Sequence, residues 1–262
     1  MTRAIVVAGV GSGLTAAAAA AAGADIVACY STACFRIAGL PSGLSFLPYG
    51  DANALVRSVL PDVLVGAGAV PVVAGVGVHD PRVSIPRALD ELDALGVHGV
   101  TNEPFIGMYD GDLRVQLEAA GLGYGRELEL AAEASRRGKI MIGWAWSPDE
   151  AAQMAATGAQ YVGCMLGITA GGAHASAPAA VSAAEANGRL RAMVEAAKAE
   201  NSECLTLIHG GPLHERDVVQ TALTESGADG YVSGSAAERV PVFDAMREAV
   251  LRYRTLERKK DR

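Results

Sequence analysis

The sequence predicts an α/β protein that folds as a single domain, a (β/α)8 barrel of the TIM-barrel class. Four similar junctions recur along the chain, and in each one a glycine follows an amphipathic segment and precedes a short apolar run. These glycines, Gly23, Gly96, Gly158 and Gly227, suit the C-terminal caps of helices, and the apolar runs suit buried parallel strands. The junctions are separated by 73, 62 and 69 residues, so each interval has room for two strand–helix units.

Four further strands lie between the junctions and bring the count to eight. They are apolar runs at 4–10, 71–77, 139–146 and 204–210. The helices are expected at 13–22, 52–60, 86–95, 126–137, 148–157, 184–199, 214–224 and 238–252. Pro86 and Pro148 stand where two of these helices begin, a position that accepts proline. We therefore expect a barrel over residues 1–252 and a charged C-terminal tail over 253–262.

A doubly wound sheet that binds a dinucleotide is the alternative fold. The stretch "GVGSG" at 9–13 is a glycine turn between a strand and a helix, as that fold requires, but it lacks the full GxGxxG pattern. No acidic residue follows the second strand, where the chain has "CYST". The barrel accounts for the number of units better.

Composition bounds the partners and the compartment. The chain has 262 residues, is 50% hydrophobic and carries a formal net charge of −7, with no basic stripe interleaved with aromatic residues, so we expect no nucleic acid. No apolar run reaches the roughly 18 to 20 residues that span a bilayer. The glycine turn interrupts the apolar N-terminal run, which therefore resembles a strand and helix more than a signal peptide. The expectation is a cytoplasmic protein without a membrane partner. A homo-oligomer is compatible with the sequence, which does not decide the oligomeric state.

In a barrel, the side chains that act on substrates lie at the C-terminal ends of the strands. His209 ends the seventh strand, and Gly210 and Gly211 after it let a ligand approach the backbone. With Gly234 and Ser235 after the eighth strand, they predict a site for a phosphate or carboxylate. His209 would then contact the ligand or transfer a proton, the alternative being a histidine that bonds only to a neighbouring loop.

Charged and polar residues after other strands supply further candidates. Asp51 and Glu103 are acids that can bind Mg²⁺ or move a proton. Capping of the second helix is the alternative role for Asp51, and a loop salt bridge is the alternative for Glu103. Arg36 can hold a substrate carboxylate through two hydrogen bonds. It lies with Tyr49 in the long segment at 31–50, which we expect to cover part of the barrel mouth. His174 lies in a loop of small residues that is a candidate lid.

Several stretches of the chain resemble the phosphoenolpyruvate hydrolase-like family, also called predicted TIM-barrel signal transduction proteins. The resemblance runs from about residue 4 to 248 and is carried by "FRIAG" at 35–39, "LPYGDANALV" at 47–56, "PVVAGV" at 71–76, "GVTNEPFIGMYDG" at 99–111, "GLGY" at 121–124, "GITAGG" at 167–172, "HGGP" at 209–212 and "GSAAERVPV" at 234–242. It implies a barrel related to phosphonopyruvate hydrolase and isocitrate lyase, which act on small oxo acids and use Mg²⁺.

The chain departs from the family pattern at three places. It has "YSTAC" at 30–34 where the family usually has "YNSGR", Met165 where the family tends to have histidine, and Glu103 where the family tends to be apolar. It also has no "KKCG" loop like that of the better-known oxo-acid lyases. These differences argue against carrying over the mechanism of those enzymes unchanged.

Two functional hypotheses remain open from the sequence. The first is a hydrolase or lyase that binds a small anionic oxo acid or its enolate and cleaves or forms a C–C or C–P bond. His209 is assigned as acid/base, Asp51 as metal ligand or base, and Glu103 as second carboxylate and tentative metal ligand. Asn102 is assigned as hydrogen-bond donor to the enolate oxygen. The assigned substrate contacts are Arg36, Tyr49, Gly210, Gly211, Gly234 and Ser235. The second is a barrel without catalysis that binds a ligand for signalling.

Overall fold

The computed structural model describes residues 3–170 and 181–258, so the candidate lid with His174 lies outside the described residues. Eight parallel strands close into a barrel in sequence order. They are β1 (Ile5–Val10), β2 (Ile26–Cys29), β3 (Val72–Gly75), β4 (Gly99–Thr101), β5 (Ile140–Ala145), β6 (Tyr161–Met165), β7 (Leu205–His209) and β8 (Gly230–Ser233). The barrel closes where β1 pairs with β8, from Ile5 opposite Gly230 to Ala8 opposite Ser233. The predicted fold is confirmed.

Helices connect the strands, and an additional one follows β8. They are α1 (Gly13–Ala21), α2 (Ser31–Ile37), α3 (Ala52–Ala67), α4 (Ile85–Ala94), α5 (Gly111–Ala119), α6 (Tyr124–Arg136), α7 (Pro148–Ala156), α8 (Ala183–Glu200), α9 (Arg216–Ser226) and α10 (Arg239–Tyr253). The sequence analysis did not predict α2 or α5. Helix α5 buries none of its residues, so it lacks the apolar periodicity by which a packed helix is recognised.

The four junction glycines adopt the backbone conformation that made them informative. Gly23, Gly96, Gly158 and Gly227 have φ between 75° and 84°, the left-handed region that glycine enters without a Cβ clash. Gly227 ends α9, and its N–H donates to the carbonyl of Leu223. Each glycine thus stops a helix and turns the chain into the next strand.

Successive side chains along each strand point to opposite faces of the barrel wall and divide the core into two layers. Along β2, Ile26 and Ala28 face the barrel interior together with Trp144, whereas Val27 and Cys29 pack outward against the helices. Strands buried on both faces read as continuous apolar runs in the sequence. Within the described ranges, no helix is both long and apolar enough to cross a bilayer.

Close backbone approach between β4 and β5 yields a stability prediction. A Cβ added at Gly99 would lie 2.1 Å from the carbonyl oxygen of Ile140, whereas one added at Gly125 in α6 has no atom within 4 Å. We expect Gly99→Ala to lower the free energy of unfolding by about 1–3 kcal/mol. The matched Gly125→Ala should leave it unchanged or raise it by up to about 1 kcal/mol. Urea unfolding measures both, and equal stability of the two variants would contradict this packing.

Candidate active site

A pocket of about 480 Å³, counted to its open mouth, lies at the C-terminal ends of the strands. Its walls come from α2 and the segment after it, from the ends of β4 to β8 and from the loop after β6. The lining residues are Tyr30, Thr32, Arg36, Ser42, Phe46, Glu103, Phe105, Met108, Trp144, Met165, Gly167, Ile168, Thr169, His209 and Ser235. The segment at 31–50 therefore covers one side of the barrel mouth, as its position after β2 suggested.

Aromatic rings form the apolar wall of the pocket. The ring centroids of Phe46 and Phe105 lie 5.1 Å apart, those of Phe105 and Trp144 lie 6.2 Å apart, and those of Trp144 and His209 lie 5.6 Å apart. Apolar side chains along one wall lower the local dielectric constant, which strengthens electrostatic interactions near them.

His209 is mounted at the end of β7 in a defined tautomer. Its Nδ1 lies 2.6 Å from the carbonyl oxygen of Val232 in the neighbouring strand, and because a carbonyl only accepts, Nδ1–H is the donor. Nε2 is then the unprotonated nitrogen. Burial and repulsion from Arg36 lower the pKa of His209 to about 4, against the hydrogen bond to Val232. The imidazole is therefore neutral at physiological pH and presents an acceptor.

Arg36 supplies a fixed positive charge beneath the pocket. Its guanidinium is buried and forms an ion pair with Glu238, with Nε 2.7 Å and Nη2 2.6 Å from Oε2. Nη2 also donates to the carbonyl oxygen of Gly9 at 2.8 Å. The other oxygen of Glu238 accepts from the N–H of Gly11 and the hydroxyl of Thr15, each at 2.7 Å. The ion pair is thus fully hydrogen-bonded on the carboxylate side, which is what a buried charge requires.

Glu103, at the end of β4, has a carboxyl group that titrates near neutral pH. Burial raises its pKa to about 7, although hydrogen bonds from Thr32 and the charge of Arg36 act in the opposite direction. The Thr32 hydroxyl donates to Oε1. Oε2 is buried and has no hydrogen-bond partner among the described residues. A carboxyl group half protonated at pH 7 can give or take a proton at the operating pH.

Three chemically different groups therefore converge on one pocket. A methyl group placed on Gly234 would lie 3.0 Å from Cε1 of His209 and 3.4 Å from Nη1 of Arg36. A side chain at position 234 would therefore lie between the imidazole of His209 and the guanidinium of Arg36, and glycine keeps that position clear. Two further pocket atoms, Nε1 of Trp144 and Oγ of Ser42, are buried without a hydrogen-bond partner in the described part of the chain. Buried polar atoms that lack partners indicate a missing water or ligand.

A comparison of the sequence with protein-family models identifies the family of this chain. The model described as phosphoenolpyruvate hydrolase-like matches residues 1–256, which is nearly the whole chain. The chain belongs to the phosphoenolpyruvate hydrolase-like family. The resemblance noted in its loop motifs is thereby confirmed.

Two curated proteins are similar in sequence to this chain over most of its length. It is 36% identical over 253 residues to the ToMV susceptible protein tm-1(GCR26) of Solanum lycopersicum. The aligned region covers 96% of this chain and 33% of the tomato protein. It is 30% identical to a Sinorhizobium fredii protein, y4pA, whose name calls it a transcriptional regulatory protein, over 96% of this chain and 41% of that protein. The chain thus spans between a third and two fifths of the length of these relatives.

Solved structures share the fold at low sequence identity. Phosphonopyruvate hydrolase in complex with oxalate and Mg²⁺ has a TM-score of 0.62 at 14% identity, over 96% of this chain and 82% of that chain. Phosphoenolpyruvate phosphomutase from Streptomyces platensis has a TM-score of 0.61 at 15% identity, over 97% of this chain and 84% of that chain. At this identity the likeness shows the barrel fold alone.

Two residues predicted for the site of this phosphoenolpyruvate hydrolase-like protein lie outside the pocket. Asp51 is exposed and caps α3, where its Oδ1 accepts from the N–H of Ala54 at 2.9 Å. It lines a separate surface cleft with Asp80. Tyr49 is 77% exposed on the same segment. The sequence left capping open as the alternative for Asp51, and the structure shows the capping hydrogen bond and does not bring Asp51 to the pocket.

Asn102 is also committed to structure. It is fully buried, and its Oδ1 accepts from the N–H of Trp144 at 2.7 Å while its Nδ2 donates to Glu127. Burial raises the pKa of Glu127 to about 8, and the N–H of Ile106 donates to its other oxygen at 2.5 Å. Both ends of the amide are in use and Asn102 does not line the pocket, so the geometry does not support the assigned contact with an enolate.

The glycines after β7 contact the loop after β6 and do not line the pocket. The N–H of Gly211 donates to the carbonyl oxygen of Gly167 at 3.3 Å, and its own carbonyl accepts from Ala170 at 2.9 Å. A Cβ on Gly210 would lie 1.9 Å from that Gly167 oxygen. Their role is therefore close backbone approach to the loop after β6. Ser235, in contrast, lines the pocket as expected.

The residues that the sequence analysis missed act through partners that are distant in the chain. Glu238 is the carboxylate of the buried ion pair, Thr32 holds Glu103, and Trp144 lines the pocket. The signal for Glu238 was a lone acid within the small residues "GSAAER" after β8. Met165 and Thr32, two of the departures from the family pattern, both line the pocket.

The donor set of the pocket does not fit a divalent cation. Among the described residues, Glu103 is the one carboxylate that lines it, and one of its oxygens already accepts from Thr32. Arg36 adds a positive charge close enough to affect the pKa of Glu103, which would repel Mg²⁺. Within the described ranges, no group of three His, Cys, Asp or Glu side chains could hold a metal. Asp51, the second predicted ligand, is not brought to Glu103.

The raised pKa of Glu103 predicts how stability depends on pH. The folded chain binds this proton more tightly than an unfolded chain, whose Glu pKa is near 4.5, so the stabilisation is complete below pH 4.5 and is lost as pH rises through 7. Between pH 5 and pH 8, the free energy of unfolding of the wild type should fall by on the order of 3 kcal/mol because of this group. We expect Glu103→Gln to lack that decrease. Urea unfolding at each pH measures it.

Glu133→Gln is the matched control for that experiment. Arg136 and Arg137 lower the pKa of Glu133 to about 2, so this group stays ionised throughout the window. The control should keep the wild-type pH dependence, to which Glu127 also contributes. An unchanged slope in Glu103→Gln would show that the buried carboxyl group does not titrate in this range.

Proposed function

We propose that this protein is an enzyme that acts on a small anionic oxo acid or its enolate and cleaves or forms a C–C or C–P bond. The observation that carries the proposal is the combination, in one largely apolar pocket, of a buried cation, a neutral histidine and a carboxyl group that titrates near pH 7. Each member answers a different demand of enolate chemistry, which needs an anion site, a proton acceptor and a proton donor.

Arg36 accounts for the anionic substrate. Its Nε and Nη2 are held by Glu238 and Gly9, and a Cβ added at Gly234 would lie 3.4 Å from Nη1. A carboxylate there would gain a charge-assisted hydrogen bond in a medium of low dielectric constant. Ser235, at the same rim, supplies a hydroxyl to the same anion.

Glu103 and His209 divide the proton transfers. The protonated carboxyl of Glu103 donates to the oxygen or carbon that becomes basic as the enolate develops. Nε2 of His209 accepts a proton from the attacking water or from the substrate. A bound anion raises the pKa of His209 by the same kind of Coulomb interaction through which Arg36 lowers it, so substrate binding itself improves the base.

The unpartnered polar atoms provide the remaining contacts. Nε1 of Trp144 is a donor, and Oγ of Ser42 can donate or accept. Both are buried and lack partners in the described part of the chain. Substrate oxygens that complete these bonds would be favoured over an apolar ligand of the same size, because an apolar ligand leaves the desolvation cost unrecovered.

A ligand-binding or signalling module without catalysis is the second candidate. It is favoured by the relatives, in which the matched barrel is only 33% to 41% of a longer protein, and one of which is named for transcriptional regulation. In that case the same pocket would bind the anion, and the protonation of Glu103 and His209 would respond to binding.

Turnover of defined compounds separates the two candidates. Purified protein is incubated with oxaloacetate, phosphonopyruvate, phosphoenolpyruvate or 2,3-dimethylmalate, with and without a chelator, and products are followed by ¹H and ³¹P NMR. Oxalate binding is measured by calorimetry on the same samples. The enzyme proposal expects turnover of at least one compound. Oxalate binding without any turnover would favour the module. The absence of both oxalate binding and turnover would rule out an oxo-acid site.

His209→Gln tests the proton acceptor. Glutamine keeps a hydrogen-bonding shape but does not titrate, so we expect a folded variant whose kcat on the compound identified above falls by about 10² to 10⁴. His214→Gln, outside the pocket, is the control and should retain wild-type kcat. Near-wild-type turnover in folded His209→Gln would make this histidine structural and transfer the acid/base role to Glu103.

The pH profile of kcat/KM tests the proton donor. Because Glu103 must be protonated to donate, wild-type kcat/KM should fall as pH rises above about 7, the pKa to which burial raises this group. Glu103→Gln should lose activity by about 10² or more and should no longer show that fall. A retained decline above pH 7 in the variant would assign it to another group.

A further inference from the structure

The carboxyl group of Glu103 lines the pocket but has little contact with solvent. The residue is 3% exposed, and its Oε2 is buried without a hydrogen-bond partner among the described residues. In the proposed function this group gives up a proton in each turnover, so it must regain one before the next. A substrate held over the carboxyl group would obstruct a route for that proton through the pocket mouth.

Two hydroxyl groups lead from Glu103 away from the pocket. The hydroxyl of Thr32, in the first turn of α2, donates to Oε1 of Glu103. The same oxygen of Thr32 lies 2.8 Å from Oγ of Ser45, and either hydroxyl can be the donor in that contact. Oγ of Ser45 also donates to the backbone carbonyl oxygen of Ser42 at 3.0 Å. These contacts form a continuous chain of hydrogen bonds from the carboxyl group to Ser45.

The two hydroxyl groups lie in the walls of different cavities. Thr32 lines the pocket, whereas Ser45 does not. Ser45 lines the separate surface cleft that contains Asp51, which encloses about 1090 Å³ counted to its open mouth. Phe46 lines both cavities, so the short helical turn Ser42–Phe46 forms part of the wall between them. The chain of hydrogen bonds therefore crosses from the pocket to the cleft.

This chain satisfies its hydrogen bonds in both protonation states of Glu103. When the carboxyl group is ionised, Thr32 donates to Oε1, and Ser45 donates to Thr32 or to the carbonyl of Ser42. When Oε1 is protonated, it donates to Thr32, Thr32 donates to Ser45, and Ser45 donates to the carbonyl of Ser42. In each state every hydroxyl proton has an acceptor, so reversal of the chain leaves no buried donor unpaired.

We propose that Thr32 and Ser45 form a proton relay that connects Glu103 with water in the surface cleft. A hydronium ion in the cleft gives a proton to Oγ of Ser45, Ser45 passes its own proton to Thr32, and Thr32 passes its own proton to Oε1 of Glu103. Each hydroxyl gains one proton and loses one, the carboxylate becomes a carboxyl group, and the hydronium ion becomes water. The inference rests on the proposed function, in which Glu103 is the proton donor, and adds a route that stays open while substrate fills the pocket.

The charges around the cleft suit the outer end of such a relay. Among the described residues, the ionisable side chains that line it are Asp51, His79, Asp80 and Arg82. Arg82 forms an ion pair with Asp80, and burial lowers the pKa of His79, which keeps the imidazole neutral. Asp51 therefore leaves the cleft with a net negative charge, which raises the local concentration of cations, hydronium included. Protons thus concentrate next to Ser45.

The rate at which Glu103 exchanges its proton tests the relay without any substrate. Protein labelled with ¹³C at glutamate side chains is observed by NMR at the midpoint of the Glu103 titration, where both protonation states are populated. We expect one averaged carboxyl resonance in the wild type, because the relay makes exchange fast. Ser45→Ala removes the outer hydroxyl without removing a contact of Glu103, and we expect its Glu103 resonance to broaden or to split into ionised and protonated forms.

Ser58→Ala is the matched control for Ser45→Ala. Oγ of Ser58 donates to the carbonyl oxygen of Leu55 at 2.7 Å on the exposed surface of α3, the same contact with the residue three positions earlier that Ser45 makes. This variant should keep the averaged resonance. An averaged Glu103 resonance in Ser45→Ala, or a wild type already in slow exchange, would overturn the relay.

Substitutions of Thr32 separate a relay from a hydroxyl that only positions Glu103. Thr32→Ser keeps the hydroxyl and should retain the averaged resonance, whereas Thr32→Val removes it and should slow the exchange as Ser45→Ala does. If Thr32 only positions Glu103, Thr32→Val would move the midpoint of the titration and Ser45→Ala would change nothing. That pattern would contradict the relay.

Kinetics on the compound that the protein turns over measure the contribution of the relay to catalysis. We expect Ser45→Ala to lower kcat by on the order of 10-fold, to leave KM unchanged and to increase the solvent deuterium isotope effect on kcat, because return of the proton then limits turnover. Unchanged kcat and isotope effect would remove the relay from the catalytic cycle. Absence of turnover in the wild type would instead reject the proposed function, and the exchange measurement decides the relay in either case.

Discussion

The ion pair between Arg36 and Glu238 joins the second and the last βα units of the barrel beneath the pocket. Both side chains are 2% exposed, so the pair depends on hydrogen bonds that satisfy every remaining acceptor. Glu238 obtains them from Gly11 and Thr15 of the first unit. Removal of either partner would leave an unpaired buried charge, which costs several kcal/mol.

The fixed cation has opposite effects on the two titratable groups above it. It lowers the pKa of His209, whose charged form it repels, and it moderates the rise in the pKa of Glu103, whose charged form it attracts. Burial dominates both shifts. Together they leave a neutral imidazole beside a carboxyl group near its midpoint at pH 7, which is the difference in proton affinity that acid–base chemistry uses.

The same cation explains why this pocket differs from one built around Mg²⁺. A divalent ion and a guanidinium both neutralise an anionic substrate, and a small site with one carboxylate has little charge with which to hold both. In the proposed function, Arg36 alone neutralises the charge of the substrate. Glu103 is then free to carry a proton, a role that metal coordination would suppress.

Much of the fold, but less of the site, could be predicted from the sequence. The barrel was predictable because a glycine such as Gly227 stops the helix before four of the eight strands, and these four glycines recur at regular intervals. Asp51 illustrates the limit, since an acid before a helix looks the same whether it caps the helix or meets a substrate. Glu238 and Arg36 are 202 residues apart, and no local pattern reveals that they pair.

The ionisation of Glu103 tests the account most directly. Protein labelled with ¹³C at glutamate side chains is titrated from pH 4 to pH 9 by NMR, and Glu103→Gln identifies the Glu103 carboxyl resonance. We predict a midpoint near pH 7, the value to which burial raises the pKa of this group, and a shift of that midpoint when oxalate occupies the pocket. A midpoint near 4.5, the ordinary glutamate value, would contradict the proposal that this carboxyl group is the proton donor.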